Sequence, residues 1–132
     1  MGFRFEFDPV NKILLVRFEG RHTDESLAQA TQAARKHWAA TDARAGIADY
    51  SSVTEFAVSA ELVRNLPRQE PPMPDVTKNP LVLVMPTPAG YGLARMYQIM
   101  GDRTLPSVNV VRTMDEAFAT LGVQSPRFEL LE

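Results

Sequence analysis

The chain has 132 residues, a formal net charge of −2 and no cysteine. This length fits a single domain, residues 1–132, with a hydrophobic core of its own. The slight acidic excess argues against nucleic acid as a partner, and the lack of cysteine excludes disulfides, thiolate metal sites and cysteine nucleophiles. Neither a signal peptide nor an apolar run long enough to span a membrane is present in the sequence, so we expect a cytoplasmic protein.

The first elements are two strands and a helix. Phe3, Phe5 and Phe7 alternate with charged residues, which is typical of a strand with one buried face. A short turn and the apolar run ILLV follow, so we expect a hairpin whose first strand lies at the edge of the sheet. From Thr23 the apolar residues recur at helical spacing, and Trp38 lies on the apolar stripe of this helix. We therefore expect Trp38 in the core.

The middle of the chain combines a short strand, a short helix and a long loop. The run AGIADY predicts a buried strand that ends near Asp49, followed by a polar turn. A helix is predicted from about Ala60 to Leu66, because Pro67 cannot continue a helical ladder. Residues 67–80 contain half of the ten prolines of the chain. Loops of this length are usually functional or mobile, so this segment is a candidate wall of a binding groove.

The last part of the chain alternates strands and helices. LVLVMP predicts a central strand, GLARMYQIMG a helix, VNVVR a strand and TMDEAFATLG a closing helix. Thr113 and Glu116 have the spacing of a capping box, and Gly122 ends that helix. The tail, residues 124–132, is expected to dock on a neighbouring surface. The resulting order is β-β-α-β-α-β-α-β-α, which predicts an α/β domain with a mixed four- to five-stranded sheet and helices mainly on one face.

This order and the stretch ADYSSVTEFAVSAELVRNL together resemble the STAS-like, or SpoIIAA-like, domains, which include bacterial anti-sigma-factor antagonists. The shared pattern is an Asp ending a strand, a polar turn and a Ser at the next helix start, here Asp49 and Ser59. The resemblance implies a STAS-like fold and a non-enzymatic regulatory role through a protein partner. In the antagonists the helix-start serine is phosphorylated. Its flanks here, Ala57, Val58 and Ala60, depart from the antagonists' Asp-Ser-Ser-Gly.

Two interpretations are open for each residue of this pattern. Ser59 is either a phosphoacceptor, because a helix N-terminus favours phosphate, or only an N-cap. Asp49 either belongs to an interaction edge shared with Ser51, Ser52 and Thr54, or accepts hydrogen bonds from the turn amides. For both residues the structural interpretation is preferred. The partner that such an edge would bind is an unidentified protein.

An alternative function is the binding of a small molecule or a lipid. Met73 in the proline-rich loop and Tyr91, Arg95 and Tyr97 of the following helix are the candidates for an apolar groove. A homodimer through the Phe3–Phe7 edge and the RFELLE tail is a further expectation.

No metal or cofactor is expected, because no carboxylate lies at a tight metal-ligand spacing from both His22 and His37, which we expect on the surface. The sequence picks out no convergent set of catalytic groups, so we expect a non-enzymatic protein.

Overall fold

The computed structural model describes residues 2–65, 79–100 and 108–131, which form one mixed β-sheet with helices on both faces. The six described strands are, in chain order, β1 (Phe3–Asp8), β2 (Ile13–Thr23), β3 (Ala45–Ala57), β4 (Leu81–Val84), β5 (Val108–Val111) and β6 (Glu129–Leu131). The four described helices are α1 (Asp24–Ala40), α2 (Ala60–Asn65), α3 (Pro88–Met100) and α4 (Met114–Leu121).

The sheet has the strand order β5-β4-β3-β2-β1-β6. Strands β2 to β5 pair in parallel, and β1 pairs antiparallel with both β2 and β6. The predicted α/β class, element order and mixed sheet are therefore confirmed. The sheet has six strands instead of the four or five expected, because part of the C-terminal tail joins it as β6.

The hydrophobic core lies on both faces of the sheet. Helices α1, α2 and α3 cover one face, where Trp38 packs among the buried side chains, as predicted. Helix α4 covers part of the opposite face through Ala117, which is fully buried against β3 and β4 residues such as Ile47 and Val82. The alternation of side chains along each strand sends successive residues to the two cores. The helices thus lie mainly on one face, as the sequence predicts.

The helix ends follow the predicted caps. The Thr23 side chain accepts a hydrogen bond from the Ser26 amide at the start of α1. Thr113 does the same for Glu116 at the start of α4, and Gly122 ends α4 in the left-handed conformation with φ 68°. Each side chain satisfies a backbone donor that has no partner inside its helix. Local sequence therefore determines where these two helices begin.

The hairpin turn and the tail are joined at Asp8, which is fully buried. Its carboxylate accepts hydrogen bonds from the amides of Val10, Asn11 and Arg127 and from the Asn11 side chain, at 2.8–3.1 Å. The bond from Arg127 brings the tail to β1, and β6 then pairs with Phe5–Phe7. The expectation that β1 forms the edge of the sheet is therefore wrong, since β6 covers it.

Candidate interaction surface

Strand β3 continues well past the point where its neighbour β4 ends. The last β3–β4 pair is Asp49 with Val84, whereas the pairing of β3 with β2 runs on to Ala57. The predicted polar turn after Asp49 is therefore wrong: residues 50–57 extend the strand. In the described part of the chain, no strand pairs with this segment on the side of β4. We call Ser51–Ala57 the open edge of β3.

Two irregularities in the β2–β3 pairing shape this open edge. Between Arg17 and Glu19 of β2, and again between Gly20 and Arg21, β3 contains one extra residue. Such bulges bend a strand and change the direction of its side chains. Ser51, Ser52 and Thr54 are all exposed there, so three of the four predicted edge residues lie on one accessible stretch.

Asp49 has a different environment, because it is only 4% exposed. One of its carboxylate oxygens accepts a hydrogen bond from the Ser51 amide at 2.9 Å, and the other accepts one from the Arg17 guanidinium at 3.1 Å. Arg17 also pairs with Glu6 on β1 at 2.5 Å. Asp49, Arg17 and Glu6 thus form a row of paired charges across three strands. The Asp49 carboxylate is therefore not available to bind a partner. About 25 Å of extended strand also separates Asp49 from Ala57, so Asp49 and Ser59 do not form one compact patch.

Ser59 links the starts of two helices. Its side-chain oxygen accepts a hydrogen bond from the Leu62 amide at 3.1 Å, which is the contact of an N-cap for α2. Its hydroxyl and its own amide both donate to the carboxylate of Asp24, at 2.9 and 2.8 Å. Asp24 opens α1, so these bonds connect α1 to the residue that caps α2. A phosphate on the Ser59 oxygen would meet the Asp24 carboxylate at close range.

These contacts predict the effect of changes at Ser59. Ser59→Ala is expected to lower the free energy of unfolding by about 1 kcal/mol, the usual contribution of an N-cap. Ser59→Glu is expected to lower it further, because a second carboxylate would face Asp24. The measurement is urea unfolding, and Asp24→Asn should remove the additional loss.

Ser52 supplies the matched control, because it is an exposed serine on the open edge of β3. Ser52→Glu is expected to change stability by less than about 0.5 kcal/mol. Equal stability of Ser59→Glu and the unchanged chain would show that the Asp24 contact contributes nothing.

Of the residues predicted to form a groove, the three that the structure describes do not face one surface. Met73 lies outside the described residues. The Tyr91 ring lies beneath the Arg112 guanidinium, 4.5 Å from the ring centre, and the exposed Arg95 donates a hydrogen bond to Gln98. Tyr97 instead points inward and lines a cavity beneath α3. The structure thus separates Tyr97 from Tyr91 and Arg95.

That cavity has a volume of about 140 Å³ and lies between the sheet and helices α1 and α3. Its walls are almost entirely apolar, with Leu27 and Ala30 from α1 and Leu93 and Ala94 from α3. The lining residues include four aromatic rings, which we call the aromatic cluster. Its members are linked by five ring contacts at centroid distances of 4.4–5.9 Å: Phe18, His22, Tyr50 and Phe56.

His22 is the polar member of the aromatic cluster, and its position differs from the surface location expected for it. Its side chain is 1% exposed, and its buried Nε2 atom makes no hydrogen bond to a described residue. Burial lowers the pKa of His22 to about 4, although the charge of Asp24 acts in the opposite direction. The imidazole is therefore neutral at pH 7. The sequence does contain a signal for this position: along β2, His22 follows Phe18 at an interval of four residues, so both side chains lie on the same face of the strand, the one that faces the core.

The two tyrosines of the cavity are also held neutral. Burial raises the pKa of Tyr97 to about 12, and burial together with the nearby Tyr97 raises the pKa of Tyr50. Neither phenol provides an anion at physiological pH. The cavity therefore presents rings, aliphatic side chains and neutral polar atoms, and no charge from these three side chains.

Within residues 2–65, 79–100 and 108–131, no group of three or more histidine, cysteine or acidic side chains is placed to hold a metal ion. None of the described helices has the length and apolar character needed to cross a membrane.

Comparisons with known proteins give one kind of result, a structural likeness. No protein-family model matches the sequence, and no curated protein matches it significantly. Among solved structures, the chain is similar to the anti-sigma factor antagonist SpoIIAA in its unphosphorylated form, with a TM-score of 0.62 and 11% sequence identity. The likeness covers 93% of this chain and 99% of SpoIIAA. The chain therefore has a STAS-like α/β fold, the fold of SpoIIAA.

Proposed function

We propose that this protein is a regulatory module of the cytoplasm that acts by binding another protein and not by catalysis. The observation that carries the proposal is the open edge of β3, a bulged and exposed strand segment in a STAS-like fold. The structurally similar SpoIIAA is an anti-sigma factor antagonist, and this likeness supports a regulatory role for the present chain.

The open edge of β3 suits an extended partner segment. A strand without a neighbour presents backbone donors and acceptors that another chain can pair with, which is the basis of β-strand addition. Ser52 and Thr54 leave room for an approaching backbone, because their side chains are short and exposed. Beside them, Glu55 forms a solvent-exposed ion pair with Arg21 of β2 at 3.0 Å.

A groove next to the open edge supports the same proposal. It is lined by Val53, Thr54 and Phe56 on β3 and by Pro86 and Thr87 in the turn between β4 and α3. An added strand places alternate side chains on each face of the sheet. The groove gives one set of those side chains an apolar surface to contact, so partner choice would depend on their shape.

Phosphorylation at Ser59 is a less favoured part of this proposal. The hydroxyl is exposed, but it donates to Asp24 and the oxygen caps α2. A phosphate there would break the Asp24 contact and separate the starts of α1 and α2. The cap of α2 and the contact with Asp24 together account for every hydrogen bond described for Ser59.

Self-association is a further part of the proposal. The outer edge of the sheet is β6, where Leu130 is 62% exposed. A second copy of the chain pairing β6 to β6 would cover this leucine, and an antiparallel pair of identical strands has the two-fold symmetry of most dimers.

Site-specific photo-crosslinking in the cells of origin tests the binding surface. A photoreactive amino acid at Thr54 is expected to capture one discrete protein, because the open edge of β3 lies within reach of a bound segment. The matched control places the same amino acid at Thr120, an exposed threonine on α4 on the opposite face of the sheet. The expected result is a single adduct at position 54 that is missing at position 120.

A further inference from the structure

The cavity between the sheet and helices α1 and α3 has the size of a single ring. Its volume of about 140 Å³ is close to that of an engineered apolar cavity of about 150 Å³ that binds benzene. Sites for drug-sized ligands occupy about 300–1,000 Å³. A six-membered ring with one small substituent therefore fits, whereas a nucleotide or a long acyl chain does not.

Small side chains on three elements leave this space open. Ala30 of α1, Ala94 of α3 and Ala48 of β3 all line the cavity, and all three are buried. Protein interiors are close-packed, so the volume around a core position is normally filled by side chains. Buried alanines on both sides of one space leave it unfilled, and a larger residue at one of these positions would take up part of it.

The walls around these alanines belong to the hydrophobic core. Phe5, Leu14 and Leu83 of the sheet line the cavity and are buried. Leu27 of α1 and Leu93 of α3 line it from the helices and pack against the same core. A molecule in this space would exchange water for apolar contacts with the sheet and with both helices. Affinity would therefore come from the burial of apolar surface.

The polar side chains that line the cavity in the described part of the chain carry no charge at pH 7. Thr31 already donates its hydroxyl to the Leu27 carbonyl oxygen at 2.8 Å, and His22 is neutral with its Nε2 atom buried. Tyr50 and Tyr97 are neutral phenols, because burial raises the pKa of both. A carboxylate or an ammonium group on a ligand would be unpaired in this apolar space, which is strongly unfavourable.

We propose that this cavity is a binding site for a small, uncharged aromatic molecule of one ring, held between the sheet and helices α1 and α3 by apolar contacts. The Phe18 and Tyr50 rings, which stack at 4.6 Å, are among the lining residues and offer ring contacts to the ligand. Selection is by size and by lack of charge. The proposal does not depend on the protein partner proposed for the open edge of β3.

The test titrates toluene and benzoate separately into the full chain and follows binding by NMR. The two molecules share one ring, but benzoate carries a charge. Toluene is expected to bind with one-to-one saturation, and nuclear Overhauser contacts should join its ring protons to the methyl groups of Leu27 and Leu83. Benzoate is expected to bind at least about tenfold more weakly, because its carboxylate would lose hydration without gaining a partner.

Filling the cavity provides the second test. Ala94→Leu is expected to abolish toluene binding, and Ala30→Leu repeats the test from α1 if the first variant does not fold. The matched control is Ala119→Leu, which adds the same side chain at an exposed position of α4 and should leave binding unchanged. Three results would overturn the proposal: toluene that does not saturate, Overhauser contacts only with residues outside the cavity, or toluene binding that both filling variants leave unchanged.

Discussion

Replacing Asp8 by alanine is expected to lower the free energy of unfolding by at least about 3 kcal/mol, because a hydrogen bond to a charged group contributes about 1.5–3 kcal/mol and several are lost together. The Asp8 carboxylate is fully buried and accepts four hydrogen bonds, two from the turn amides of Val10 and Asn11. The others come from the Asn11 side chain and from the Arg127 amide. Alanine would leave these donors without a partner and detach the tail from β1. Urea unfolding at pH 7 measures the loss.

Two further variants make the Asp8 result specific. Asp8→Asn retains one side-chain oxygen, so it should lose less than Asp8→Ala. Asp115→Ala removes an exposed acidic residue in the first turn of α4 and should cost less than about 1 kcal/mol. A loss at Asp8 no larger than that at Asp115 would contradict the role given to the carboxylate.

The pKa of Asp8 makes part of the free energy of unfolding dependent on pH in the acidic range. Burial alone raises this pKa, but the hydrogen bonds from Asn11, Val10 and Arg127 outweigh burial and bring it below its ordinary value of 3.8. The stabilisation from Asp8 is therefore complete above the ordinary pKa of 3.8. It is lost as the pH falls through the lower pKa of the folded state.

The second large effect is a loss of stability in mild acid caused by His22. Its pKa is lowered from 6.5 to about 4 by burial, so between these values the unfolded chain binds a proton that the folded chain does not. Stability therefore falls as the pH drops from 6.5 towards 4, by about 3 kcal/mol in total, and this contribution changes little at lower pH. Urea unfolding between pH 7.5 and 4.5 measures the slope.

The control for this pH dependence is the other histidine. Burial also lowers the pKa of His37, whose ring contacts Phe5 at a centroid distance of 4.6 Å, so it adds to the slope in the same direction. His22→Phe should remove the larger part of the slope and His37→Gln the smaller part. Identical slopes in His22→Phe and the unchanged protein would show that His22 is not the buried group responsible.

The features that the sequence predicts well are local ones. The caps at Thr23, Thr113 and Gly122 depend on residues within one helical turn, and Trp38 follows from the apolar period of its own helix. The STAS-like fold was predictable because these local signals agree with the order of strands and helices.

The features that the sequence does not predict depend on pairing between distant segments. Residues 50–57 have too many polar side chains to predict a strand, yet β2 pairs with them and Phe56 packs on His22 and Tyr50. β6 has only three residues and forms because β1 offers an edge and Asp8 holds the Arg127 amide. Tertiary contacts thus decide both elements.

The candidate sites divide in the same way. Ser59 as an N-cap was predictable, because a serine before a helix is a local signal, and its bond with the Leu62 amide confirms it. The hydrogen bond that the Ser51 amide donates to Asp49 was predicted too. The cavity was not predictable from the sequence. Its volume depends on how helices α1 and α3 pack on the sheet, which no sequence pattern describes.

The most direct test of the account is the mass of the protein captured by a photoreactive amino acid at Thr54. The open edge of β3 predicts one adduct of defined mass at position 54, with the captured peptide in an extended segment of the partner and no such adduct at Thr120. Equal capture at the two positions, or capture at neither, would contradict the assignment of protein binding to this edge.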